Sequence, residues 1–153
     1  MKSFFPATTL VTIMFINLLP THAHAGEVEA TLFKNPQCGC CSAYAEHLRQ
    51  NDYKVKEVPT EKMSLIKKSY GITDEMSSCH TTLIDGYVIE GHIPINIVDK
   101  FLSEKPDVKG MFLPGMPMGS PGMEMGVEKE EPFRIYSYDI KENNHSITLY
   151  AIE

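Results

Sequence analysis

Tryptophan is absent from this chain of 153 residues, and only four cysteines are present. Basic residues are outnumbered, 14 against 20 acidic ones, for a net charge of −6, and they form no cluster. Nucleic acid is excluded as a partner on that ground, because phosphates demand concentrated Lys and Arg. An acidic surface is compatible instead with a cationic ligand. One apolar run, residues 10–19, precedes everything else, and no second long run follows it. A bilayer-crossing helix needs about 20 apolar residues, so the mature chain is expected not to insert into a membrane. No cysteine closely follows the run, the first being Cys38, which argues against a lipid anchor. Proline is missing between Pro59 and Pro94, an absence that matters below.

What is present begins with a leader. Lys2 is the one charge before the apolar run, and Ala23-His24-Ala25 has the small-x-small form that a signal peptidase accepts. Residues 1–25 are therefore expected to be a removed secretory signal. Residues 26–153 are expected to form one domain in the periplasm, large enough for a core without disulfide staples.

Hydrophobic patterning over the mature chain alternates between strand and helix. Residues 27–33 alternate polar and apolar, with Val28, Ala30 and Leu32 on one side, as a strand does. A helix runs from the cysteine cluster to about Gln50, with Tyr44 and Leu48 inward. A second strand is expected over 53–58, and a helix over 61–70, capped by Thr60 and stopped by Gly71, with Met63, Ile66 and Tyr70 on one stripe. Asp85-Gly86 between 81–84 and 87–89 is a hairpin signal. Pro94 opens a third helix with Ile95, Val98, Phe101 and Leu102 inward, and Pro106 forbids its continuation. Residues 133–138 and 146–152 suggest a last hairpin. This order, a βαβ unit, then an antiparallel hairpin and a closing helix, gives a thioredoxin-like α/β fold as the expectation. Between them, residues 107–131 are rich in Gly, Pro and Met. The hexamer Pro-Gly-Met-x-Met-Gly occurs there twice, carrying Met116 and Met118, then Met123 and Met125. So much Gly and Pro reads as a long loop.

Cys38, Cys40 and Cys41 fall within one turn, and Cys79 stands apart. A structural disulfide framework fits poorly, since a bond within the cluster closes a tiny loop and removes little unfolded-state entropy. Cys38 and Cys41 form a Cys-x-x-Cys pair at a helix start, where helix amides favour thiolate. That serves thiol exchange or metal binding equally. Two features favour metal. Thioredoxin-like oxidoreductases place a proline before the hairpin strand, and here Ser78-Cys79-His80-Thr81 stands in that position. Cys40 also lies inside the Cys-x-x-Cys, where a third thiol invites scrambling. Zinc prefers paired spacings around one tetrahedral ion, which the neighbours Cys40 and Cys41 do not suit. Soft thiolate and thioether donors select monovalent copper, and the Met-x-Met units add a second soft donor type. His80 is a candidate for coordination or for orienting a ligand, and His92 for either a ligand or a surface role. His47 and His145 read as exposed and turn residues.

The stretches Cys38-Gly39-Cys40-Cys41, Ser78-Cys79-His80-Thr81, 85–94 and 114–123 resemble the CopG family of periplasmic copper-resistance proteins, in order, from about Phe33 to Met125. That resemblance implies a thioredoxin-like fold without ordinary thioredoxin activity. It implies a multi-copper thiolate cluster at Cys38, Cys40, Cys41 and Cys79, holding several Cu(I) ions. His80, His92, Met116, Met118, Met123 and Met125 are expected as auxiliary donors. The implied role is copper resistance, by sequestration, redox interconversion or relay to a copper chaperone or efflux component. Tyr44 stands where the family commonly has tryptophan. The competing expectation is a thiol–disulfide oxidoreductase using Cys38 and Cys41.

Overall fold

The computed structural model describes residues 27–124, 126, 131–141 and 144–153. The expected leader 1–25, Met125 and the tip of the last hairpin lie outside the described residues. Among the described residues, seven strands form one sheet in the order β2-β1-β3-β4-β5-β6-β7. Three helices accompany it: α1 (Gly39–Gln50), α2 (Met63–Ser69) and α3 (Ile95–Glu104). No helix among the described residues is long and apolar enough to cross a membrane.

Strand β1 (Val28–Lys34) turns Ala30, Leu32 and Lys34 inward by its alternation. It pairs in parallel with β2 (Tyr53–Pro59), the connection running through α1. Cys41, Tyr44, Ala45 and Leu48 are the buried stripe of α1, spaced as one helical face requires. On its other side β1 pairs antiparallel with β3 (His80–Ile84), Lys34 opposite His80. β3 and β4 (Tyr87–Glu90) form the expected hairpin. Asp85 and Gly86 both take positive φ, 48° and 83°, as a two-residue turn matched to strand twist demands. Helix α3 then buries Ile95, Ile97, Val98 and Phe101, and Leu102 is only half-buried beside them.

Two expectations are corrected here. Helix α2 is shorter than 61–70 and buries no residue fully, so its apolar stripe serves as a partial cover. Thr60 does not cap it within the helix but accepts a bond from the Lys62 amide at 3.1 Å, just upstream. The second correction falls inside the expected loop 107–131. Gly110–Phe112 form β5, parallel to β4, and α3 becomes the crossover of a second βαβ unit. The run Met111-Phe112-Leu113 is buried throughout, as a strand covered on both faces should be. Gly110 makes the pairing fit, because a Cβ there would overlap the backbone of Val88.

Beyond the loop, β6 (Arg134–Lys141) joins β5 and pairs with β7 (Asn144–Ile152). His145 lies within β7, its Nε2 3.0 Å from the Gly71 carbonyl, and so belongs to a strand and not to a turn. The sheet separates two apolar layers. Leu32, Ile89, Met111 and Ile135 meet α1 and α3 on one face. Val88, Phe112 and Tyr138 meet Ile72 and Met76 on the other.

Gly110→Ala is expected to destabilise the fold by about 1–3 kcal/mol through overpacking against a backbone that cannot retreat. Urea denaturation should show a lowered midpoint; an unchanged midpoint would contradict the close β4–β5 approach.

Candidate metal centre

The site gathers where β1 ends and β3 begins. Cys38 is the N-cap of α1, its Sγ 3.3 Å from the Cys41 amide, which donates to it. Helix amides at that end carry partial positive charge and stabilise sulfur anions. Lys34 secures the same turn: its ammonium donates to the Cys38 carbonyl at 3.3 Å and to Ser42 Oγ at 2.6 Å, and pairs with Glu57 at 3.4 Å.

All four cysteine sulfurs lie within 4.8 Å of one another, close enough to share a metal ion once all four are free thiols. Cys40 Sγ is 3.4 Å from Cys38 Sγ and 3.8 Å from Cys79 Sγ. Cys38 and Cys41 are joined in a disulfide, while Cys40 and Cys79 are free and half-buried. The oxidised form therefore offers two thiols beside a bond that yields two more on reduction. Burial, reinforced by the neighbouring Cys40 and partly offset by Lys67, pushes the Cys79 thiol up to about 12. Cys79 is thus a neutral thiol around neutral pH, and a metal that binds it must displace its proton.

A polar knot holds Cys79 in place, and it was not anticipated. Glu90 is wholly buried and pairs with the Lys67 ammonium. Its carboxylate also accepts from the Ser78 amide at 2.7 Å and from Thr81 Oγ1 at 2.6 Å. Those two partners flank Cys79 and His80 along the chain, so Glu90 fixes the approach to β3. Strand alternation placed Glu90 on the same face as buried Val88, which is the signal that could have found it.

His80 and His92 are brought together, though neither belongs to the four-sulfur group. Their ring centroids are 4.6 Å apart, and Tyr44 lies over them at 4.6 Å and 5.5 Å. The surface alternative for His92 is overturned: the residue is wholly buried. Burial, with the charges of His92 and Lys67 adding to it, holds His80 well below the usual histidine value. Burial also lowers His92, against the opposing pull of the Pro121 carbonyl and Glu124.

The methionine loop folds back over this region. Gly122 lies so close to the first helix that a Cβ would come 2.8 Å from the Cys40 carbonyl and 2.9 Å from the Tyr44 amide. Glu124 reaches His47 at 2.8 Å on the exposed side of the helix. Met116 and Met118 face solvent, 54% and 37% exposed, and Met123 is half-buried in the returning turn.

Fold and site define a mixed α/β protein with a metal-capable sulfur centre at the mouth of its first helix. A family model described as "Protein of unknown function, DUF411" matches residues 76–123. A search among curated proteins finds no match. Two solved structures do match. "Copper resistance protein copG- Form 1" is 34% identical with a TM-score of 0.74, over 83% of this chain and 98% of that one. "Copper resistance protein copG- Form 2" is 34% identical with a TM-score of 0.69, over 81% and 98% respectively. The chain belongs to the CopG family of copper resistance proteins.

Site-resolved alkylation of the metal-free protein tests the environment of Cys79. Only thiolate reacts, and a raised pKa leaves little of it near neutrality. Iodoacetamide is expected to modify Cys79 at least about tenfold more slowly than a cysteine peptide at neutral pH, with the rate still climbing beyond pH 9. A rate equal to the peptide's would contradict the buried thiol.

Proposed function

We propose that this is a periplasmic copper-binding protein that holds several Cu(I) ions per chain on the thiolates of Cys38, Cys40, Cys41 and Cys79, as part of copper resistance. The observation that carries it is the convergence of four sulfurs within 4.8 Å, the fourth delivered from a separate strand. The copper-resistance name of the similar structures supports the choice of metal. Crowded thiolates suit bridging between soft monovalent ions better than one tetrahedral zinc. The βαβ unit and antiparallel hairpin in the order β2-β1-β3-β4 support reading the first four strands as a thioredoxin-like unit, extended by β5, β6 and β7. Secretion through residues 1–25 places the protein where copper arrives from outside. Exposed Met116 and Met118 suit handing copper to or from a chaperone or efflux component, with Met123 and Met125 as further soft donors.

Loading requires reduction of the Cys38–Cys41 disulfide. Two electrons and two protons from a dithiol reductant open the bond to two thiols, and copper then displaces protons from the thiols it binds. Anaerobic Cu(I) titration, read by sulfur-to-copper absorption and native mass spectrometry, is expected to give several ions per chain after reduction and fewer before it. A Cys40→Ser, Cys79→Ser double variant should lose most of that capacity. Equal copper content in the reduced wild type and the double variant would overturn the reading.

One observation favours a second reading. The Cys38–Cys41 disulfide at a helix N-terminus has the arrangement of a thiol–disulfide oxidoreductase, Cys38 attacking and Cys41 resolving. That reading requires insulin-reducing activity that survives Cys40→Ser; a reduced protein without such activity excludes it.

A further inference from the structure

Among the described residues, the buried side-chain atoms without a hydrogen-bond partner are both ring nitrogens of His80, Nε2 of His92 and the hydroxyl of Thr82. Three of these four atoms belong to two imidazoles in edge contact, both rings wholly enclosed between α1 and the sheet. Buried polar atoms forfeit their hydration unless something replaces it, so such a concentration calls for an occupant.

Pro121 identifies which atom awaits it. The His92 Nδ1 lies 2.8 Å from the Pro121 carbonyl oxygen, and a carbonyl only accepts. Nδ1 therefore carries the proton, and in a neutral ring Nε2 keeps its lone pair. Metal-ligating histidines are commonly oriented this way, one ring N–H spent on a carbonyl so that the other nitrogen is presented as a donor. The anchor comes from the methionine loop, and it reaches His92 because Gly122, next along, can lie flat on the backbone of Cys40 and Tyr44. The His80 ring meets His92 in edge contact, centroids 4.6 Å apart, with both of its own nitrogens buried beside the same space.

We infer that His92 Nε2 and one nitrogen of His80 form a nitrogen-donor site for a single copper ion, separate from the thiolates and covered by the Pro121-Gly122 strap. This goes beyond the thiolate reading and does not need any sulfur ligand. Two neutral imidazoles suffice for a two-coordinate monovalent ion and also suit divalent copper, whereas zinc seeks four ligands. Crowded thiolates favour the monovalent state, so the chain would carry two kinds of copper site.

The test uses the full chain, copper supplied anaerobically as a Cu(I) acetonitrile complex, and native mass spectrometry with X-ray absorption. In a variant carrying serine in place of Cys38, Cys40, Cys41 and Cys79, about one copper per chain is expected to remain, coordinated by nitrogen without sulfur. Adding His92→Phe to that variant should remove it. A folded four-serine variant that binds no copper, or that keeps its copper after His92→Phe, overturns the inference. If circular dichroism shows the four-serine variant to be unfolded, His92→Phe alone decides. Loss of about one copper with the sulfur-to-copper absorption unchanged supports the site, and unchanged stoichiometry rejects it. Failure of the thiolate reading looks different: the wild type would then bind no more copper than the four-serine variant.

Discussion

Antiparallel pairing of β1 with β3 sets Lys34 opposite His80, and every contact of the fourth sulfur, Cys79, depends on that register. The chain leaves β1 through Cys38, Cys40 and Cys41 and enters β3 through Cys79, so the pairing brings both segments to one end of the sheet. A slip of one residue would turn His80 out of the core and swing Cys79 away, since strand side chains alternate faces. The Glu90 carboxylate guards against that slip. It binds the Ser78 amide and the Thr81 hydroxyl from the neighbouring strand, and Lys67 neutralises it in place. A buried carboxylate is costly unless paired and hydrogen-bonded. Here it is both, and its bonds define where the fourth thiol stands.

The two faces of the sheet divide the chemistry. On the α2 side, Glu90, Thr81 and Lys67 make a charged, fully hydrogen-bonded support behind Cys79. On the α1 side, Tyr44, His80 and His92 form a neutral cluster of tilted and edge-on rings, and Tyr44 spends its hydroxyl on the Ile93 carbonyl at 2.9 Å. The sulfur centre lies at the mouth of α1, near both the Glu90–Lys67 pair and the buried Tyr44, His80 and His92 rings. The methionine loop closes the arrangement from outside, with Pro121 on His92, Gly122 on the helix backbone and Glu124 on His47. Exposed Met116 and Met118 remain on the outer side of that strap, accessible to a partner while the inner residues are covered.

Much of the fold was legible because local signals agreed. Asp85-Gly86 demanded a tight turn, Pro94 preceded a helix, and Tyr44 and Leu48 marked the inner face of α1. Strand β5 was missed because glycine and proline dominate the composition around it, and composition over a window hides a three-residue strand. Its pairing is decided by β4, where Gly110 fits against the Val88 backbone, a contact invisible to any local pattern. Likewise α2 carried a stripe like that of a buried helix, but the sheet beneath it covers it only in part. Sequence reading left His92 between ligand and surface, because burial depends on a loop returning from some thirty residues away.

The sequence by itself determined the chemical type of the centre. Three cysteines within one helical turn can only crowd their sulfurs, and soft donors prefer soft metals whatever surrounds them. Tertiary structure alone decided how distant groups are set around it: Cys79 at 3.8 Å from Cys40, Glu90 behind it, and, apart from the sulfurs, the two imidazoles together under Pro121. The reason is physical. Donor softness is a property of single side chains, whereas distance, burial and the proton on His92 belong to pairs of residues that only the folded sheet brings into contact.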